Sequence, residues 1–307
     1  MSGPVSTDDA VVAGPEGGLD VELIEPHDAQ VGAMTVQRVL PRRQRRTVGA
    51  WCFVDVFGPA FVDEDGGVDI GPHPHTGLHT VTYLIDGQVL HRDSLGSEQV
   101  IRPGQVNLMT AGNGVVHAEE PTGHYRGGLH GVQLWVAQPE TTRHGPAAFE
   151  HHAELPQVEV GGALATVLVG ELAGATSTAR QDTALLGADL QLAPGRSAQP
   201  LESSYEHLVV ALDGAVVIDG KALVAGQAAY VGLGREDIEL AAPERARVLL
   251  LGGVPLGEQL LMWWNFVGRT REEIVASARQ WALADEERFG RVRTSLDRVP
   301  APPVPWG

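Results

Sequence analysis

The sequence predicts an all-β protein that holds a metal site inside a barrel, and three observations carry that prediction. Short runs of alternating apolar and polar residues recur between Gly, Pro and Asp-Gly turn signals, the pattern of a sandwich or barrel rather than an α/β fold. With 38 Gly and 20 Pro among 307 residues, many short elements joined by tight turns are expected. The third observation is chemical. His73-Pro74-His75 and His117-Ala118-Glu119 are each pairs spaced i, i+2. Such pairs share one face of a strand, about 6.5–7 Å apart at the Cα. Two such strands side by side would aim His73, His75, His117 and Glu119 at one point. Three imidazoles and a carboxylate suit a first-row transition metal, Fe(II) first, with Mn, Ni, Cu or Zn as alternatives.

Composition narrows the function classes. A 43% hydrophobic share is ample for a core, and the length fits one large or two ordinary domains. The formal charge of −17 argues against unaided binding to nucleic-acid phosphate or anionic lipid. One basic run, Arg42-Arg43-Gln44-Arg45-Arg46, opposes that sign and reads as a solvated or locally paired turn. The single cysteine, Cys52, lies in an apolar run and reads as a core thiol; no intramolecular disulfide can form, which fits a reducing compartment. The first twenty residues lack an apolar signal core, and no run of about 18 apolar residues could span a membrane. A cytoplasmic protein is expected.

Taken in order, residues 1–20 read as a flexible tail. Strands are expected over Val36–Leu40 and Thr47–Val56, with Phe57-Gly58-Pro59 as a break and Asp63-Glu64-Asp65-Gly66-Gly67 as an acidic loop. In the stretch that follows, His73, His75 and His79 share one parity. Asp86-Gly87 signals a two-residue hairpin. Further strands are expected over Val106–Thr110, Val115–Glu119 and Gly128–Ala137, the turn at Gly112-Asn113-Gly114 delivering His117.

Beyond Pro156 the pattern begins again. His207 to Ile218, turning at Asp213-Gly214, echoes His79 to Leu90 in length and alternation, and Ala225 to Val231 echoes Pro103 to Met109. The second copy has neither His-x-His nor His-x-Glu, so it is expected to be metal-free. Domains are therefore expected at 21–155 and 156–262, followed by a helix and tail over 263–307. Thr270 and Glu273 form a capping box for that helix, expected to run to about Glu287. Trp263, Trp264 and Phe266 precede it as packing anchors.

The combination resembles the pirin family of the cupin superfamily. The resemblance rests on His73-Pro74-His75 with Thr80-Val81-Thr82-Tyr83, on His91 to Gly96, on Met109-Thr110-Ala111-Gly112, on His117-Ala118-Glu119, and on Trp263 to Gly268. It implies two stacked cupin β-barrels, a bicupin, in a monomer with one iron site in the N-terminal barrel, held by His73, His75, His117 and Glu119. Several pirin-like proteins act as quercetin 2,3-dioxygenases, opening a flavonol or related enol ring with O2. Others are described as transcriptional co-regulators or partners of metabolic enzymes. This chain has Leu78-His79 where the family usually has Phe-Glu, and Thr76 where Arg is common.

Two roles remain open for Glu119, a permanent metal ligand or a ligand that swings off to act as the base that ionises a substrate hydroxyl. His79 is expected in the pocket, outside the ligand set. His91, His124, His130, His144, His151, His152 and His207 lack a partner at ligand spacing and read as ordinary residues. Asp93 is expected to make a turn or pair with Arg92. The alternative to an oxygenase is a non-catalytic regulator whose metal redox state governs binding of a protein partner. No nucleophile elbow and no phosphate-cradling loop is present.

Overall fold

A computed structural model describes residues 21–306 apart from 33, 63–67 and 124. The expected tail, the acidic loop and His124 lie outside the described residues. The chain opens with β1 (Glu22–Ile24), β2 (His27–Val31), β3 (Met34–Leu40) and β4 (Trp51–Val62). Next come β5 (Ile70–His75), β6 (Leu78–Asp86), β7 (Val89–Asp93) and β8 (Glu98–Ile101). They are followed by β9 (Val106–Thr110), β10 (Val115–Glu120), β11 (Gly127–Ala137) and β12 (Ala148–His152). The second half contains β13 (Gln157–Val160), β14 (Ala163–Leu172), β15 (Ala175–Thr176), β16 (Leu185–Leu192), β17 (Gly195–Pro200) and β18 (Glu206–Asp213). It continues through β19 (Ala215–Ile218), β20 (Lys221–Val224), β21 (Ala228–Val231), β22 (Asp237–Ala242) and β23 (Ala246–Gly253). A hairpin of β24 (Leu261–Trp263) and β25 (Phe266–Gly268) leads into α1 (Arg271–Ala282) and α2 (Glu286–Phe289).

The internal repeat is visible in the sheet topology. The first half has a large sheet containing β9-β6-β11-β4 and a small sheet β5-β10-β7-β8. The second half repeats both orders, as β21-β18-β23-β16 and β17-β22-β19-β20. Both folds are pairs of open sheets. None of these strand paths closes on itself, so the closed barrels expected from the sequence are corrected to facing sheets. Asp86-Gly87 is corrected too. It makes no hairpin, because β6 pairs with β9 and β11 whereas β7 pairs with β8 and β10; the turn carries the chain from the large sheet to the small one. Asp213-Gly214 makes the same step in the second half, between β18 and β19.

Alternation along the strands explains why both faces of the large sheets are apolar. Val54, Val81, Leu108 and Leu134 of the first half share a core with Leu168, Leu208, Val210 and Leu249 of the second, so the large sheets pack against each other. The opposite parity faces the small sheet of the same half. Phe57 and Leu84 there meet Val89 and Ile101, while the second half joins Ala188 and Leu190 to Val216 and Leu240. The result is four layers.

Trp51 fastens the two halves. It is fully buried, and its indole N–H lies 3.0 Å from the Gly252 carbonyl and 3.2 Å from that of Leu186. A Cβ at Gly187 would come within 3.2 Å of the indole, which accounts for glycine there. The strand expected to break at Phe57-Gly58-Pro59 instead runs on to Val62. It absorbs the interruption as a register shift against β11 between Leu129 and Gly131.

The basic run is locally paired. Arg42 contacts His27, and Arg45 pairs with Glu22 at 2.7 Å while lying over the Tyr230 ring. At the other end, Thr270 caps α1 by accepting from the Glu273 N–H, but the helix stops at Ala282 and not near Glu287. The chain turns through Ala284 at φ +54° before α2 begins. No helix among the described residues is long and apolar enough to cross a membrane.

Replacing Trp51 with Ala should lower unfolding stability by about 3–5 kcal/mol. Trp51→Phe should lose about 1–2 kcal/mol, because the Gly252 and Leu186 carbonyls lose a buried donor. Urea denaturation of each variant checks both values.

Candidate metal centre

Strand β10 lies between β5 and β7 in the small sheet, and its two faces are divided cleanly. Val116 and Ala118 point outward into a cluster built by Trp263, Trp264, Phe266, Trp281 and Phe289. The three anchors foreseen before α1 are thus the backing of β10. The alternate residues His117 and Glu119 line the interior pocket. His73 on β5 is the direct cross-strand partner of His117, and His75 lies opposite Val115. Between His117 and Glu119 the register with β5 shifts, so Glu119 faces Ile70. At Gly71, in that shifted stretch, a Cβ would fall 2.0 Å from the Asp297 carbonyl, so only glycine lets the C-terminal tail lie against the strand.

His73, His75 and His117 come together, with ligand nitrogens all within 4.8 Å of one another. Glu119 lines the same pocket, outside that three-nitrogen group. Burial holds His73 down to about 4 and, reinforced by the neighbouring rings, holds His75 and His117 well below the ordinary imidazole value. All three are therefore neutral at pH 7. Burial has the opposite effect on Glu119 and pushes its carboxyl up to about 7.

This donor set fits a divalent transition metal. The Nδ1 of His73 lies 2.9 Å from the Gly71 carbonyl, which can only accept, so Nδ1 carries the proton and Nε2 keeps a lone pair. The Nε2 atoms of His75 and His117 are 3.0 Å apart. Two nitrogens each about 2.1 Å from one ion, at a right angle, would be separated by about 3.0 Å. Neutral imidazoles suit such an ion, and a carboxylate nearby would offset part of its charge.

The remaining predicted residues are placed as follows. His79 belongs elsewhere. Its Nδ1 bonds Thr110 and its Nε2 bonds Asp182, a carboxylate that also accepts from Thr142, Gln138 and Arg180. Burial tends to raise Asp182, but those donors together hold it well below the usual carboxylate range. The shared parity of His73, His75 and His79 fails because Thr76 and Gly77, with φ +69° at Gly77, end β5 before β6 starts. Cys52 is a core thiol, raised to about 12 by burial. Asp93 makes the expected turn, accepting from the Leu95 and Ser97 N–H groups, while Arg92 pairs with Glu98 instead.

Sequence reasoning missed His91. Its ring centroid lies 5.2 Å from that of His117, with the Nδ1 atoms 3.4 Å apart, and its Nε2 bonds Asp93 at 3.1 Å. The signal was present, because His91-Arg92-Asp93 has the same i, i+2 spacing that singled out the other pairs. In the second half the strands matching β5 and β10 carry no imidazole. Ser197 lies opposite Leu240, and Gln199 bonds Ser197 at 2.6 Å.

Beside the imidazoles is a chamber of about 80 Å³, walled by Phe53, Trp135, Arg38 and Val299 among others. Phe53 and Trp135 stack with centroids 4.0 Å apart, and Arg38 covers the other face of Phe53 at 4.4 Å while pairing with buried Asp55. The same Arg38, Phe53, Trp135 and Val299 also line a neighbouring groove of about 1000 Å³.

Facing sheets with histidines gathered on one small sheet, repeated along the chain without them, define a two-domain cupin. The Pirin family profile matches residues 33–136, and that of the Pirin C-terminal cupin domain matches 187–289. The chain belongs to the pirin family. It is 46% identical over 278 residues to a Pseudomonas aeruginosa protein named "Putative quercetin 2,3-dioxygenase", covering 90% of this chain and 87% of that one. Human pirin is 32% identical over 237 residues, 74% of this chain and 80% of its own length. The crystal structure of a quercetin 2,3-dioxygenase from Acinetobacter baumannii superposes with a TM-score of 0.90 at 40% identity, covering 93% of this chain and 96% of that one.

Between about pH 4 and 6.5 the three buried imidazoles bind fewer protons folded than unfolded, so their contribution to stability is present at neutral pH and lost on acidification. Glu119 acts with the opposite sign, since its raised carboxyl favours the folded state most below the ordinary carboxylate value and loses that effect as pH rises towards 7. Three groups outweigh one. In metal-free protein, the stability lost between pH 6.5 and 4.5 should be smaller in His73→Gln than in wild type by about 2 kcal/mol. Urea titrations at the two pH values measure the difference.

Proposed function

We propose that this protein is a pirin-type oxygenase of the quercetin 2,3-dioxygenase kind, dependent on one divalent metal held by His73, His75, His117 and Glu119. The single observation that carries the reading is the meeting of three neutral imidazoles, two of them with facing Nε2 atoms 3.0 Å apart. The names of the Pseudomonas and Acinetobacter relatives support the reaction class. Fe(II) is the proposed ion, with Mn, Ni, Cu or Zn as alternatives. When bound, it would supply Lewis acidity and a template for substrate and O2.

The residues of the chain supply the rest. The stacked pair of Phe53 and Trp135, which lines both chamber and groove, gives apolar contact to a planar aromatic or enol substrate. Glu119 swings off the ion to take the hydroxyl proton; burial raises its carboxyl to about 7 in the metal-free protein. For a flavonol the products would be the ring-opened ester and carbon monoxide. We further propose the domain division 21–155 and 156–262 with a C-terminal segment over 263–307, a monomer, and a cytoplasmic location.

Wild-type protein should contain about one metal per chain and consume O2 with quercetin, whereas His117→Ala should do neither; equal oxygen uptake by the two removes the oxygenase reading. Glu119→Gln should slow O2 uptake with quercetin even when compared at equal metal content, and a variant as fast as wild type per bound metal assigns the proton to another group.

One observation favours a second reading. The chamber alone, about 80 Å³, is smaller than the 300–1,000 Å³ usual for small-molecule sites. If the groove does not admit substrate, the protein is a regulator whose metal redox state governs a protein partner. Metal retention without turnover, together with partner capture that differs between reducing and oxidising conditions, would select it.

A further inference from the structure

We propose that His91 and Asp93 are positioning residues that fix the proton of His117 on Nδ1 and so present its Nε2 lone pair to the metal. The proposal rests on the metal-site reading above and adds two residues to it that do not themselves ligate.

The geometry runs in one direction. Asp93 sits on β7, and its Oδ1 is occupied by the N–H groups of Leu95 and Ser97. Its orientation is therefore set by the turn. Its Oδ2 lies 3.1 Å from Nε2 of His91, and a carboxylate oxygen accepts, so Nε2 carries the hydrogen. A neutral imidazole protonated at Nε2 presents a lone pair at Nδ1. That lone pair faces Nδ1 of His117 at 3.4 Å, a long contact that favours a hydrogen on His117 Nδ1. The Nε2 of His117 is left with its lone pair, directed to within 3.0 Å of His75. Strand pairing supports the order, since β10 places His117 opposite Asp93 and Glu119 opposite His91. The His91 ring is fixed from its other side by Phe149, stacked at 4.5 Å and 15°.

The chain of contacts also shows what each substitution would do. Asp93→Asn keeps the turn, because the amide oxygen can still accept from Leu95 and Ser97. It places an NH2 against His91 Nε2, which moves the hydrogen to Nδ1 and sets two donors face to face. His91→Phe keeps a flat ring on Phe149 and removes the acceptor. His91→Asn offers an amide oxygen where Nδ1 was, restoring an acceptor for His117.

The test uses the full chain, stripped by chelator and titrated with cobalt(II) against a chromogenic competitor, with the visible cobalt spectrum recorded. Asp93→Asn and His91→Phe should each weaken cobalt binding about 10–100-fold. Each should also alter the spectrum while leaving the metal-free unfolding midpoint near that of wild type. His91→Asn should bind close to wild type. Should Asp93→Asn not fold, the His91→Phe and His91→Asn pair carries the comparison. The proposal is overturned if His91→Phe binds cobalt as tightly as wild type with the same spectrum, or if His91→Asn is as weak as His91→Phe. A wild-type chain that takes up no cobalt would overturn the metal site and this inference together, which separates the two failures.

Discussion

Antiparallel pairing of β5 with β10, which sets His73 directly opposite His117, is the constraint on which the site depends. Side chains of directly opposed residues have Cβ atoms about 4.5–5.5 Å apart, so two imidazoles in that relation reach each other without adjusting the backbone. The period of two along β5 then adds His75, and along β10 adds Glu119. Several neighbouring parts of the chain hold these two strands in register. The aromatic cluster under Val116 and Ala118 backs β10, β7 flanks it, and the tail at Asp297 presses on Gly71.

Gathering these groups away from water is unfavourable in itself. Burying a polar group that lacks a partner costs about 1–3 kcal/mol in proteins, and the three rings and one carboxyl here are all withdrawn from water. Their altered acidities express that cost: the imidazoles shed their protons and the carboxyl keeps its own. The second half shows the same topology relieved of the burden. There Ser197, Gln199 and Leu240 occupy the corresponding strands, and the Gln199 amide N–H groups reach Ser197 and the Val160 carbonyl.

The two i, i+2 pairs that meet in the pocket were legible in the sequence because that rule is local and needs no knowledge of the partner strand. The repeat was legible for a similar reason: turn chemistry at Asp86-Gly87 and Asp213-Gly214 recurs with the same flanking alternation. What that chemistry could not reveal was where the chain goes next. An Asp-Gly turn serves equally between paired strands and between sheets, and both copies here change sheet. His79 misled because parity was carried through Thr76-Gly77, where a left-handed glycine resets the strand. His91 was overlooked because its partner, Asp93, was read as a turn former or as the partner of Arg92, although one carboxylate has enough lone pairs to hold the turn and His91 together. The early end of α1 depended on packing of Trp281 and Phe289 that local propensity does not encode.

Val299 bears on how the molecule is made. Its N–H bonds the Pro72 carbonyl at 2.9 Å, its carbonyl accepts from the Trp281 indole, and its side chain forms part of the wall of the histidine chamber. A ribosome delivers the imidazoles early and this wall late, so the nascent N-terminal half emerges with its ligand cluster open on one side. Loading during translation would meet an unfinished vessel, and enclosure waits for residue 299 to leave the exit tunnel.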